Sequence, residues 1–141
     1  MNTAIESAFL AAVSSLPELM SVEQNTGVSG DENTVEGAAI IVHCPDCEHA
    51  VGPLWKATVV FRLETPAFDK DREAHDTRFN AVRAWLEDRD AVADDLRINS
   101  MRLHGYFVRK SQTSIEHSRW VAEIEIVAGV AVHVIGSQES E

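Results

Sequence analysis

An α+β domain, with helices packed on one face of an antiparallel sheet of two hairpins, is the fold class this sequence predicts. Three observations lead there. Residues 54–64 alternate apolar and polar side chains with a period of two, and residues 75–86 repeat apolar side chains at helical spacing. The remaining strand-like segments come in pairs, with helical segments before and between them. The expected order is helix, hairpin, helix, hairpin. A chain of 141 residues with 45% hydrophobic content suits one domain with its own core, residues 1–141.

The opening stretch, MNTAIESAFLAAV, puts Ile5, Phe9, Ala12, Val13 and Leu16 on one stripe. Thr3 and Glu6 fit a capping box, in which each side chain satisfies the other residue's free backbone donor. Pro17 falls where this helix should close. Residues 23–37 (EQNTGVSGDENTVEG) are polar, glycine-rich and aperiodic, and read as a mobile loop. Its length is unusual for a compact domain, which fits a subunit contact and fits a slack surface loop equally well.

Residues 38–44 (AAIIVHC) form a β-rich apolar run, after which CPDCEHAVGP turns the chain. In the next strand Trp55, Ala57, Val59, Phe61 and Leu63 point one way, and Lys56, Thr58, Val60, Arg62 and Glu64 the other. That period marks a sheet with one buried and one wetter face. Pro66 stops the strand. Asp69 is placed to cap the following helix, with Asp71 and Glu73 favourable near its positive end. His75, Phe79, Val82 and Leu86 then fall on one side, flanked by Ala81 and Trp85, and Arg72, Asp76, Arg83 and Glu87 on the other. Residues 86–98 continue as a broken or short second helical piece.

Residues 101–108 (MRLHGYFV) and 119–127 (RWVAEIEIV) form a second hairpin around the polar connection KSQTSIEHS. Trp120, Ala122, Ile124 and Ile126 face inward; Val121, Glu123 and Glu125 do not. Residues 130–135 (VAVHVI) read as a short terminal strand able to join an edge here or on a neighbour. Residues 136–141 are a solvated tail, and the chain has no internal repeat.

Composition removes several function classes. Lys+Arg 12 against Asp+Glu 23 gives a net charge of -11, without the clustered cations that grip a phosphate backbone. No apolar run approaches the roughly 20 residues needed to cross a bilayer. The N-terminus lacks a basic flank and carries Glu6 inside its apolar part, unlike a secretory signal. Two cysteines three residues apart imply no disulfide scaffold. A soluble, cytosol-assembled protein is expected.

The one motif-like cluster is His43-Cys44-Pro45-Asp46-Cys47-Glu48-His49. Two thiolates and two imidazoles are ligands that zinc prefers, and C-x2-C is a familiar half-site. There is no second C-x2-C, however, and His43 and Cys44, adjacent near a strand end, should point to opposite faces. Four ligands within seven residues are cramped, and a remote fourth ligand such as His75, His104 or His117 is left open. A hairpin turn with free thiols is favoured over a metal site, and a thioredoxin-like role is least favoured because the cysteines do not open a helix. No serine sits in a G-x-S-x-G elbow, and there is neither a P-loop nor a G-x-G-x-x-G. Asp94-Asp95 and Asp69-Asp71 read as helix-end charges, and His75 as a satisfied core imidazole. No catalytic, cofactor or metal site is assigned.

The stretch RLETPAFDKDREAHDTRFNAVRAWL, with Glu64, Thr65 and Pro66 leading through Asp69, Arg72 and His75 into a helix, resembles the tail-terminator and tail-completion proteins of long-tailed bacteriophages. The layout is similar too: an N-terminal helix, a strand pair, this strand-to-helix passage, then a hairpin whose last strand opens with Trp in RWVAEIEI. The likeness covers residues 4–127 and contains no catalytic signature; the cysteine–histidine segment departs from the pattern. The resemblance implies a structural virion protein, not an enzyme. Such a protein forms a homo-oligomeric ring, typically hexameric, at the tail–neck junction after assembly in the host cytoplasm. Its partners would be itself, the tail tube protein and the head–tail connector, with DNA passing through unbound and no membrane involved. An acidic lumen suits sliding DNA. Ring closure needs a heterologous contact, for which Lys56, Arg62, Glu64, Asp69, Asp71 and Arg72 are the candidate residues. The alternative is a small zinc-binding protein or enzyme using the His43–His49 turn; a host α+β interaction module sharing the layout is a third reading.

Overall fold

Alternation in the long central strand decides where the core lies. Ala57, Val59, Phe61 and Leu63 are buried on one side of it, and their cross-strand neighbours continue that face. The computed structural model describes residues 1–27, 37–67, 72–116 and 118–132. In chain order the elements are α1 (Asn2–Val13), a 3-10 turn (Pro17–Leu19), β1 (Glu23–Thr26), β2 (Ala39–Val51), β3 (Leu54–Pro66), α2 (Arg72–Glu87), α3 (Arg89–Ile98), β4 (Met101–Glu116) and β5 (Arg119–Val132).

The strands make one five-stranded mixed sheet in the order β1-β2-β3-β5-β4. This overturns the expected antiparallel sheet of two hairpins and its helix–hairpin–helix–hairpin order. The chain runs helix, three strands, two helices, two strands. The added strand, β1, lies inside the stretch read as a loop and pairs in parallel with β2, Glu23 opposite Ala39 through to Thr26 opposite Val42. Its sequence, EQNT, sits mostly exposed at the sheet edge, so it needs no apolar alternation and shows none. The remainder of the expected loop, 28–36, and the tail, 136–141, lie outside the described residues.

Other boundaries shift for equally physical reasons. β2 does not turn at Cys44 but runs on to Val51, and a register shift between His43 and Asp46 absorbs Cys44 and Pro45 as a bulge. Bulges are where a strand tolerates proline. The reversal comes instead at Gly52, in the left-handed region with φ 56°. β4 likewise runs through the expected polar connection as far as Glu116, which pairs with Arg119 of β5. Residues 130–132 belong to β5, which passes straight through Gly129.

All three helices give their buried side chains to the same side of the sheet. Ile5 and Phe9 of α1, Val82, Trp85 and Leu86 of α2, and Val92 and Leu96 of α3 join Ile40, Val42, Val59, Phe61, Ile124 and Ile126 in one cluster. Phe61 is its hub, meeting Phe9 and Trp85 edge-on at 5.8 and 6.1 Å between ring centroids. Between α2 and α3, Asp88 accepts from the Ala91 N–H and starts a separate helix. Trp85 Nε1 donates to Asp95 at 2.9 Å, binding the two helices together.

Candidate functional site

The face of the sheet opposite the helices carries the charged residues the sequence singled out. Here Arg62 stands across from Glu123, and Glu64 across from Val121. Arg62 donates to Glu64 at 2.6 Å, to Glu123 at 2.6 Å and to Glu116 at 3.1 Å; Arg119 donates to the other oxygen of Glu64 at 3.1 Å. Arg119 also reaches the carbonyl of Gly37 at 2.7 Å. Burial alone would push the Arg62 guanidinium down, yet hydrogen bonds to Glu64, Glu123 and Glu116 hold it above its ordinary range. Arg62 and Glu64 are therefore engaged within the subunit. Of the other candidates, Lys56 and Arg72 are exposed, and Asp69 and Asp71 lie outside the described residues.

Sequence reasoning found two members of this network and missed Glu116, Glu123 and Arg119. Opposite charges at directly paired positions were the available signal, but it is readable only once the register is known. The pairing of Glu116 with Arg119 fixes that register.

The segment His43–His49 is strand, and its side chains are dispersed. The Cys44 thiol is buried in the core cluster; burial, followed by the nearby Cys47 and Glu6, pushes its pKa up to about 12. Burial also raises the half-buried Cys47 thiol. His43 Nδ1 lies 3.1 Å from Glu6 Oε2, while His49 bonds the Gly52 carbonyl and tilts against Trp55. Of the possible remote ligands, His75 is buried and bonded to Thr65 at 2.8 Å, His104 is exposed, and His117 lies outside the described residues. Among the described residues no three His, Cys, Asp or Glu side chains converge as a metal-holding group. Glu6, expected to cap its own helix with Thr3, instead accepts the Cys44 N–H at 2.8 Å, and α1 begins at Asn2 without a side-chain cap.

The third feature is the pair of sheet edges. β4 forms one edge, and from Phe107 to Ile115 every residue of it is exposed, including Phe107, Val108 and Ile115. At the other edge β1 covers β2 only from Ala39 to Val42, so from Asp46 to Val51 no described strand lies outside β2. Open edges present unpaired peptide groups and invite a further strand. No described helix is long and apolar enough to cross a membrane. No family model matches the chain, and no curated protein matches it either.

Proposed function

We propose that this chain is a structural virion protein of a long-tailed bacteriophage: a tail terminator that closes into a ring between the tail tube and the head–neck connector and lets DNA pass. The observation that carries the reading is β4, a 16-residue edge strand whose outer half is exposed on both faces. A lone subunit gains little from so long an apolar-tipped edge, whereas an assembly gains a surface to pair with. Support also comes from the resemblance over residues 62–86, the passage from β3 into α2, and from the net charge of -11, which disfavours retention of DNA. The engagement of Arg62 and Glu64 within one subunit moves the proposed contact from the strand face to the sheet edges. Nothing in the dispersed His43–His49 side chains favours the zinc-binding alternative.

An antibody against the chain, carried on gold, tests this reading on intact particles. One label per particle at the head–tail junction is the expected result. Label along the tail, or on no particle, would overturn it.

A further inference from the structure

The two edges of the sheet have opposite charge. Residues 1–55 contain no Lys or Arg, and all 12 lie between Lys56 and Arg119. The β1–β2 edge therefore carries no Lys or Arg side chain, and Glu23, Asp46 and Glu48 are exposed on it, with the Met1 ammonium close enough to act on Cys47. β4 carries Arg102, Arg109 and Lys110 and no acidic residue before Glu116. Arg109 is paired with Glu125 of β5, but Arg102 and Lys110 are exposed on the edge strand itself.

Register places these groups together as well. Asp46 and Glu48 pair with Thr58 and Lys56, and Arg102 and Lys110 sit in the rows of Leu54 and Val60. All four side chains thus belong to the face that carries Arg62. Across the sheet, the row of Asp46 ends at Phe107 and the row of Glu48 at Gly105, between Arg102 and Lys110. The acidic end of one edge stands level with the basic stretch of the other.

Strand direction adds a geometric condition. β2 opposes β3, β3 opposes β5 and β5 opposes β4, so β4 runs against β2. A copy rotated about an axis along the strands brings β4 beside its neighbour's β2 edge in the antiparallel sense, which pairs well. A two-fold contact of β4 with β4 would instead set Arg102, Arg109 and Lys110 against their own copies. The charges disfavour that closed dimer and favour a head-to-tail series, the kind that closes as a ring. On β2 the Cys44 peptide is already taken on both sides, its N–H by Glu6 and its carbonyl by Asn2 at 2.8 Å, so pairing begins beyond it.

We infer that the partner at each edge is a second copy of this chain: β4 of one subunit pairs antiparallel with the outer edge of β2 of the next, beyond Cys44, with Lys110 diagonal to Asp46 and Arg102 diagonal to Glu48. The sheet then continues from subunit to subunit. This rests on the ring proposed above and names its contact.

Charge reversal tests it. R102E/K110E and D46K/E48K, each checked for unchanged circular dichroism and melting, should associate about tenfold or more weakly than the wild type, with the loss growing smaller at high salt. Mixing the two variants should restore assemblies of even subunit number in which they alternate, because each basic edge again meets an acidic one. Lys110→Glu alone, at an exposed position, keeps the test valid if a double variant fails to fold. A wild-type ring that survives every reversal overturns this contact and leaves the ring reading standing. A wild type that remains monomeric overturns both.

Discussion

The peptide N–H of Cys44 donates to Oε2 of Glu6 at 2.8 Å, a contact across 38 residues that seats α1 on the bulge of β2. Asn2, one turn earlier on the same helix face, donates to the Cys44 carbonyl. The bulge leaves this peptide without a partner on β3, and the two side chains supply what a neighbouring strand otherwise would. Glu6→Leu should cost about 1–3 kcal/mol by stranding a buried donor, and Glu6→Gln markedly less because its amide oxygen still accepts. Equal losses in denaturant unfolding of the two variants would contradict this account.

His75 gives the fold an acid-sensitive point. Its imidazole is buried between Thr65, 2.8 Å away, and Trp120, and desolvation lowers its pKa; Asp76 opposes that shift, and Arg78 and Arg72 add to it. The folded protein then binds this proton less readily than the unfolded chain. The stability His75 contributes is present above the unfolded value of about 6.5 and is lost as pH falls through its lower folded value. Urea unfolding followed from about pH 8 to about pH 5 should show a steeper loss for the wild type than for His75→Asn. Parallel profiles would sink the assignment.

Arg62 should matter to the subunit before it matters to any assembly. Its three carboxylate partners range from 11% to 42% exposed, so the network lies between a buried and a surface arrangement. Arg62→Ala should destabilise the fold by about 2–3 kcal/mol, less than for a fully buried pair because its partners keep part of their hydration. Thermal unfolding at a concentration where the protein is dissociated reads this directly. An unchanged midpoint would show that the network carries no net stability.

Ser100 follows α3 in the left-handed region, φ 64°, and its N–H bonds the Arg97 carbonyl, the arrangement usually given to glycine after a helix. Ser100→Gly should relieve up to about 1 kcal/mol of backbone strain and raise the unfolding midpoint. A lowered midpoint would mean that the side chain contributes more than its conformation costs.

These sites also mark where the sequence was readable. β3 and α2 were legible because each has one buried and one wet side, and His75, Val82 and Leu86 are buried as their spacing requires. β1 and the outer half of β4 were not, because an exposed edge imposes no apolar period on its residues. The run through Cys44-Pro45 looked like a turn because proline and aspartate favour turns; in the fold a bulge accommodates the proline. Glu6 matched a local cap three residues from Thr3, and a tertiary donor claimed it instead. The ion network was half visible, since Arg62 and Glu64 sit on one strand while Glu116, Glu123 and Arg119 enter through the register of another hairpin. The contrast between the two edges was present in the residues from the start, but only the strand order reveals which residues form an edge.

The mass of the purified protein in solution, by light scattering with negative-stain images of the same fraction, tests the central claim most directly. The account predicts a closed ring with an open centre, about six copies of the 15.5 kDa chain. A single 15.5 kDa species at every concentration, with no rings in the images, would contradict it.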